Sequence, residues 1–197
     1  IDFRARVTSD EEGNFLASKI VGSTTTYRDI DIADHVVLVG FEPEEESPIV
    51  FLRINKQVRK RSLKVSAVAT KLSIGVEKLK ANFIKVAPGD ESAALSALEI
   101  SAKSVILVGE RASETAGLLS TVVALAEKSG AKVGYIPRRA GERGALEAGA
   151  IGTLLPGGRP VADAAARVDI AAVWGVAQLP ATPGRSTSEI ISALNTG

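Results

Sequence analysis

The sequence contains neither cysteine nor methionine. Without cysteine, these 197 residues cannot supply thiolate ligands for iron-sulfur clusters or zinc, disulfide bonds or cysteine nucleophiles. The sequence also begins at Ile1, in the middle of an alternating pattern. Together with the missing methionine, this start predicts that the chain is a piece of a longer polypeptide.

An excess of either charge is also missing, as are long hydrophobic runs. The 24 basic and 23 acidic residues give a formal net charge of +1, which predicts no electrostatic footprint for nucleic acid or an anionic membrane. No apolar run approaches the ~20 residues that span a bilayer, and no signal peptide opens the sequence, so we expect a soluble chain without direct membrane insertion. The 45% apolar content predicts that residues 1–197 form a single domain.

Apolar runs typical of buried strands alternate with amphipathic segments along most of the chain. The predicted strands are residues 36–39, 63–69, 83–86, 104–108 and 132–136. Strands without polar alternation are typical of parallel sheets, and helices between them form right-handed crossovers. The longest such helix is predicted from Ser113, a candidate N-cap, to Gly130, a typical C-terminal stop. The pattern predicts an α/β fold: a doubly wound, mostly parallel sheet with helices on both faces.

Near the two ends of the chain, shorter sequence patterns predict individual strands and helices. Residues 1–7 alternate apolar and charged side chains, which is the period of a strand. Ser9 and Ser186 each precede a glutamate by three residues, the spacing of a capping box, so we expect a helix after each. Residues 170–174 are apolar and predict a sixth strand that buries Trp174 in the core.

The stretch from residue 34 to residue 61 links a strand to a helix through an acidic loop. Gly40 ends the strand, residues 41–47 form the loop, and Pro48 occupies the first helical position. Loops at the carboxyl ends of parallel strands lie where α/β folds bind ligands, so this loop is a candidate cleft wall. The alternative is that its glutamates offset the helix dipole, by roughly 0.3 to 1 kcal/mol each.

Other candidate motifs are weaker. Asp29, Asp31 and Asp34 precede the first strand, and without a histidine or further oxygen ligands we interpret them as solvated loop carboxylates rather than a metal site. His35 has no serine or carboxylate arranged around it by sequence, so it is not predicted to be a general base. No strand is followed by G-x-G-x-x-G or a Walker-type loop, which argues against a standard dinucleotide or phosphate-loop site.

A basic, glycine-containing loop follows the fifth strand. Its arginines Arg138, Arg139 and Arg143 have two interpretations, which the sequence leaves open. They are candidate ligands for a small anion. Alternatively, they pair with acidic residues of neighbouring loops, namely Glu42, Glu44 or Glu110.

Three stretches carry a resemblance to a known family. They are GFEPEEESPIVFLRINKQVRKR within residues 34–61, VILVGER at residues 105–111 and PRRAGERGALEAGA at residues 137–150. Together they resemble the molybdopterin oxidoreductase-like region of the large iron-sulfur subunits, the G subunits, of bacterial NADH-quinone oxidoreductase (respiratory complex I), in their actinobacterial form. The resemblance covers residues 3–197.

The resemblance implies a cleft of altered chemistry. In the wider molybdopterin oxidoreductase family, the loop after the corresponding strand reads G-x-N-P and helps to hold the pterin cofactor. Gly40 and Pro43 match that motif, whereas Glu42 stands in place of the asparagine. A carboxylate repels a phosphorylated cofactor at low dielectric. We therefore expect a vestigial pterin cleft, with Gly40, Glu42, Pro43 and Arg138 beside it and no cofactor in this part of the chain.

The resemblance also implies a function. We expect a non-catalytic scaffold region in a complex that relays electrons from NADH toward quinone and couples this to ion translocation. The cluster-binding domains would lie N-terminal in the parent chain, the partners would be other peripheral-arm subunits, and the location would be the cytoplasmic face of the plasma membrane. Two alternatives stay open: the pterin-binding part of an active molybdopterin oxidoreductase, such as a formate dehydrogenase relative, and a small-anion or nucleotide module that uses Arg138 or Arg139.

Overall fold

The computed structural model describes residues 8–182, 184–185 and 187–196. They form two compact units, one comprising Ser23–Arg138 and the other the described residues before and after that range. The strand expected at residues 1–7 and the cap expected at Ser186 lie outside the described residues. That residues 1–197 behave as a single domain within a longer chain stays a prediction.

The helices alternate with the strands for most of the chain. In chain order the helices are α1 (Asp10–Phe15, continued by a π-helical turn at Leu16–Ile20), α2 (Tyr27–Ile32), α3 (Pro43–Glu46), α4 (Pro48–Arg61), α5 (Ile74–Lys78), α6 (Glu91–Ser96), α7 (Leu118–Ser129), α8 (Glu142–Glu147), α9 (Ala164–Trp174) and α10 (Thr187–Thr196). A 3-10 helix, Glu110–Glu114, precedes α7. None of the helices in the described residues is long and apolar enough to cross a membrane.

The Ser23–Arg138 unit is built on a five-stranded sheet. Its strands are β1 (His35–Val39), β2 (Lys64–Ala69), β3 (Asn82–Lys85), β4 (Ser104–Gly109) and β5 (Lys132–Ile136). Every neighbouring pair is parallel, and the order is β3-β2-β1-β4-β5. The strand order therefore reverses between β1 and β4, which confirms the predicted doubly wound α/β fold.

The central strand β1 is covered on both faces. Ile54 of α4 is fully buried and belongs to one core with Val36 and Leu38. Val37 and Val39 are also buried, and because successive side chains of a strand point to opposite faces, they fill the other side of the sheet. This two-sided burial explains why β1 has no polar alternation.

The second unit has a small core of its own. Ser9 caps α1 as predicted, since its Oγ accepts the N–H of Glu12 at 3.1 Å. A turn at residues 156–158 joins β6 (Leu154–Leu155) to β7 (Arg159–Pro160) in an antiparallel hairpin. The core of this second unit includes the buried residues Leu155, Val161, Ala166 and Ile170.

The sixth strand predicted at residues 170–174 is wrong, because these residues form the second half of α9. Asp163 begins this helix by accepting the N–H of Ala165 at 2.9 Å, and Gly175 ends it with φ 65°. Alanine, frequent in α9, has the highest helix propensity, and a short apolar run cannot by itself distinguish strand from helix. Trp174 is 51% exposed rather than in the core.

The start predicted at Ser113 for the helix that ends at Gly130 is also wrong. Ser113 lies in the 3-10 helix, where its Oγ donates to the carbonyl of Glu110 at 2.7 Å. The hydroxyl is thus used in a local turn. Helix α7 begins later, after Gly117 with φ 78°, and ends at Gly130 as predicted.

Two of the three aspartates before β1, Asp29 and Asp31, lie on α2 and make specific contacts rather than standing in a solvated loop. Asp29, on α2, accepts the N–H and the hydroxyl of Thr26 at 2.7 and 2.8 Å and pairs with Lys132 of β5 at 2.6 Å. Asp31 pairs with Arg53 of α4 at 2.6 Å. The loop interpretation is therefore wrong for these two residues. Within the described ranges no group of acidic, histidine or cysteine side chains could hold a metal ion.

We predict that Asp29→Asn destabilises the Ser23–Arg138 unit by about 1 kcal/mol near neutral pH, as expected for a lost cap. The hydrogen bonds from Lys132 and Thr26 lower the pKa of Asp29 from 3.8 to about 2. Its stabilising effect is therefore complete above about pH 4 and is lost as the pH falls toward 2. Urea unfolding should show the difference between the two proteins shrinking over that interval.

The control for this measurement is Asp90→Asn. Asp90 is exposed, and no hydrogen bond of its side chain is present in the described structure. Its replacement should leave the urea midpoint unchanged. A difference between the Asp29 variant and the unchanged protein that stays constant from pH 5 to pH 2 would contradict the assigned pKa.

Candidate functional site

The candidate site lies at the carboxyl edge of the sheet, beside the reversal of strand order. A cleft of about 790 Å³ opens there, with Gly40, Glu42, Ser73 and Arg111 among the residues that line it. This is the edge at which doubly wound α/β folds bind ligands. Of the predicted site residues, Gly40 and Glu42 thus line one cleft.

The loops after β1 and β4 approach each other main chain to main chain. Gly40 has φ 56°, and a Cβ atom placed on it would overlap the backbone nitrogen of Ala112. A Cβ atom on Gly109 would in turn overlap the carbonyl oxygen of Gly40. Only glycine fits at these two positions without a shift of the loops. Backbone therefore fills the space between the loop after β1 and the loop after β4.

The segment at residues 41–47 is not simply a loop, because it contains the one-turn helix α3. Pro43 is the first residue of this helix and is buried. Glu42 is its N-cap: the side chain accepts the N–H of Glu44 at 3.3 Å. Pro48 occupies the first position of α4, as predicted.

The carboxylate of Glu42 also reaches the loop after β2. It accepts a hydrogen bond from the hydroxyl of Ser73, which itself accepts the N–H of Val76 at 3.1 Å and so caps α5. Gly75 makes room for this arrangement, since a Cβ atom there would overlap the Glu42 carboxylate. The Glu42 side chain is thus held in place by hydrogen bonds from Glu44 and Ser73.

Glu46 ties α3 to the loops after β4 and β5. Its carboxylate accepts the N–H of Glu42 at 2.9 Å and pairs with Arg111 at 2.6 Å and with Arg138 at 3.6 Å. The Glu46 side chain is only 12% exposed. The N–H of Arg138 also donates to Glu110 at 3.4 Å. Of the two interpretations of Arg138, the structure shows an ion pair, with Glu46 as the partner.

The other arginines of the basic loop belong to the second unit and make local contacts. Arg139 pairs with Glu142 at 2.9 Å, and Arg143 pairs with Glu147 at 2.6 Å. Neither of these ion pairs includes a residue that lines the candidate cleft. Glu44, the remaining partner considered from the sequence, pairs instead with Lys78 at 2.5 Å.

The cleft has more carboxylates than uncommitted cations. Glu42, Glu91 and Glu114 line it, together with the cations Lys71 and Arg111, of which Arg111 already pairs with Glu46. Like charges repel strongly where water is partly excluded. The hydroxyl of Ser73 and the N–H of Glu44, which are the kind of donors an anion needs, are used by Glu42. The arrangement does not suit a phosphorylated ligand.

His35 does have a serine neighbour, contrary to the interpretation from the sequence. Its Nε2 lies 2.9 Å from the Oγ of Ser66. Burial, and then the positive charge of Lys64, lower the pKa of His35. Ser66 is 3% exposed within β2, so its hydroxyl is not accessible to a substrate. The pair also lies at the amino end of the strands, away from the candidate cleft.

Sequence reasoning missed Ser73 and Gly75. Residues 70–82 show no clear periodicity, and Ser73 is followed three residues later by valine rather than by the glutamate or glutamine of a capping box. The usable signal is weaker: a serine directly before a short apolar segment is a candidate N-cap.

Comparison with known proteins identifies the relatives of this chain. Residues 5–196 match a family model described as molybdopterin oxidoreductase. The chain is 48% identical to the G subunit of NADH-quinone oxidoreductase from Mycobacterium bovis and from Mycobacterium tuberculosis over 98% of its length. It is 43% identical to that of Streptomyces coelicolor over 100% of its length. These relatives confirm the resemblance inferred from the sequence. The chain spans only about a quarter of their length, 25% and 27% respectively.

We predict that Gly40→Ala destabilises the Ser23–Arg138 unit by about 2–5 kcal/mol, as measured by urea unfolding. The left-handed backbone contributes about 1–2 kcal/mol and the overlap with Ala112 about 1–3 kcal/mol.

The matched control for this prediction is Gly89→Ala. Gly89 also has a positive φ, of 97°, but no atom lies within 4 Å of an added Cβ. This variant should therefore show the backbone cost alone, about 1–2 kcal/mol. An equal loss of free energy of unfolding in the two variants would show that the loops after β1 and β4 do not pack as closely as described.

Proposed function

Because the chain belongs to the molybdopterin oxidoreductase family, we propose that it is a non-catalytic scaffold region of the large iron-sulfur subunit of an NADH-quinone oxidoreductase. The identity of 43% to 48% to the G subunits of such complexes supports this parentage. In the proposal, the whole complex transfers electrons from NADH toward quinone. The iron-sulfur clusters of the parent subunit lie outside this part of the chain, which has no cysteine to hold them.

The observation that carries the scaffold proposal is the position of the Glu42 carboxylate. It lies at the edge where the family holds its pterin, in the motif position where the family has asparagine, and it takes up the Ser73 hydroxyl and the Glu44 N–H. A phosphorylated pterin would have to displace this carboxylate and then lie beside it. The residues present do not fit the pterin cofactor, and we propose that this part of the parent chain binds none.

The same contacts explain how the edge stays ordered without a ligand. Glu42 joins the loop after β1 to the loop after β2, and Glu46 joins it to the loops after β4 and β5. Hydrogen bonds to charged groups are worth about 1.5–3 kcal/mol each when they are shielded from water. In ligand-binding relatives, contacts to the cofactor can order such loops. Here internal carboxylates take that place, as expected of a region retained for its shape.

The two alternatives from the sequence gain no support. An active molybdopterin oxidoreductase, such as a formate dehydrogenase relative, would need the pterin that the Glu42 carboxylate opposes. A small-anion module based on Arg138 would need a free guanidinium, whereas Arg138 pairs with Glu46. In our proposal the partners are therefore the other peripheral-arm subunits of the complex, at the cytoplasmic face of the plasma membrane.

The proposal predicts where the parent subunit is found. Solubilised membranes of the source organism are separated on a native gel, stained for NADH dehydrogenase activity and probed with an antibody raised against this chain. We expect the antibody signal in the large NADH-active band. Excess purified chain, added as competitor, should abolish the signal.

A different distribution would contradict the proposal. An antibody signal confined to a smaller band that contains molybdenum and oxidises formate would identify the parent as an active molybdopterin enzyme.

A further inference from the structure

The opposite, amino edge of the sheet carries a second cleft. Its volume is about 790 Å³, and it lies where the strands begin: His35 of β1 is paired in register with Lys64 of β2, and both line it. Arg59 near the end of α4 and Lys80 after α5 line it as well. We refer to Arg59, Lys64 and Lys80 as the basic rim.

The cations of the basic rim have no ion-pair partner within the described structure. All three of its side chains are exposed, and in the ranges 8–182, 184–185 and 187–196 none makes an ion pair or a side-chain hydrogen bond. Among the described residues that line the cleft, Glu99 is the one carboxylate. At the carboxyl edge, by contrast, Arg111 and Arg138 both pair with Glu46.

Helix dipoles account for only part of the basic rim. Arg59 and Lys80 lie at or just beyond helix C-termini, where an exposed cation offsets the dipole by about 0.3–1 kcal/mol. Lys64 begins a strand and has no such role. Arg61, two residues after Arg59, differs from the rim cations because its guanidinium is bound within the fold. It donates to the backbone carbonyls of Asp31 and Ala33 at 2.5 and 2.8 Å.

The geometry favours a broad acidic surface over a small anion as the occupant. Ser62, the C-cap of α4, lines the cleft, so the carbonyl end of that helix, with its partial negative charge, faces this edge. A small anion inside the cleft would lie close to those carbonyls. A protein surface placed across the opening would instead meet the exposed ends of the rim cations.

We propose that the basic rim docks an acidic surface of a neighbouring protein subunit. This inference rests on the proposed scaffold function, because it names the face through which the scaffold joins its complex. Exposed charges of this kind mainly set association rate, orientation and salt dependence, and their effect weakens once the Debye length falls below about 10 Å, near 0.1 M salt. Assembly through the basic rim should accordingly be salt-sensitive.

The first test detects the contact in the intact complex. Purified NADH-active complex is treated with a carbodiimide, which joins a lysine amine to a carboxylate only where the two are in contact, and the products are mapped by mass spectrometry. We expect Lys64 or Lys80 to be joined to an aspartate or glutamate of another subunit. If Lys64 and Lys80 are joined only to acidic residues of their own chain, such as Glu99, or are not joined at all, the proposal is overturned.

The second test reverses the charges of the basic rim in the full-length parent subunit. Arg59→Glu, Lys64→Glu and Lys80→Glu are combined, and the fraction of subunit that migrates with the NADH-active complex is measured at increasing salt. We expect that fraction to fall by about tenfold near 0.1 M salt, where charge pairs at an interface still count.

The matched control is the combination Arg28→Glu, Lys85→Glu and Lys128→Glu. It replaces one arginine and two lysines, all exposed and without a side-chain partner among the described residues, so the change in net charge is the same. The control should assemble like the unchanged subunit. Thermal unfolding checks that both variants are folded. If the charge-reversed rim variant does not fold, the carbodiimide cross-linking test alone decides whether the basic rim contacts another subunit.

The outcomes separate this inference from the proposed function. If the unchanged subunit is absent from the NADH-active complex, the proposed function fails first. If the unchanged subunit, the control and the rim variant all assemble equally, the docking inference alone is overturned. If calorimetry shows that the unchanged chain binds inorganic phosphate and the rim variant does not, the cleft is a small-anion site and the docking proposal is likewise overturned.

Discussion

The close approach of main chain to main chain at Gly40 and Gly109 is the constraint on which the rest of the carboxyl edge depends. It brings the loops after β1 and β4 together at the reversal of strand order, where related architectures leave a crevice for a ligand. Next to this contact, α3 begins at Pro43. Glu42 is then placed as its N-cap and faces the Ser73 hydroxyl.

The two edges of the sheet use charge in opposite ways. At the carboxyl edge, Glu42 accepts hydrogen bonds from Glu44 and Ser73, and Glu46 pairs with Arg111 and Arg138, so contacts within the fold hold these two carboxylates in place. At the amino edge, the cations of the basic rim make no ion pair among the described residues, and Glu99 is the one carboxylate that lines their cleft. A chain with a formal net charge of +1 thus has one edge whose acidic loop is held by internal contacts and another edge whose cations are exposed. That division suits the proposed scaffold function.

Strands β1, β2 and β4 could be predicted because they are largely buried on both faces and read as mostly apolar runs. The edge strands β3 and β5 are less buried and are indicated mainly by their place in the alternating pattern. Glu42 could also be singled out, since a carboxylate in that motif is chemically conspicuous. Its partner Ser73 could not, because the contact joins residues 31 positions apart and no local pattern marks it. The second half of α9, residues 170–174, reads as a strand because short apolar runs fit both structures until the capping residues Asp163 and Gly175 are considered.

The most direct test of the account is the pterin and molybdenum content of the purified NADH-active complex that contains the parent subunit. Pterin is released by acid oxidation and measured by fluorescence, molybdenum is measured by mass spectrometry, and a known molybdopterin enzyme processed in parallel serves as the positive control. The account predicts that neither is present in proportion to the subunit, because the Glu42 carboxylate takes up the donors that an anionic cofactor would need. One pterin per parent subunit would contradict it.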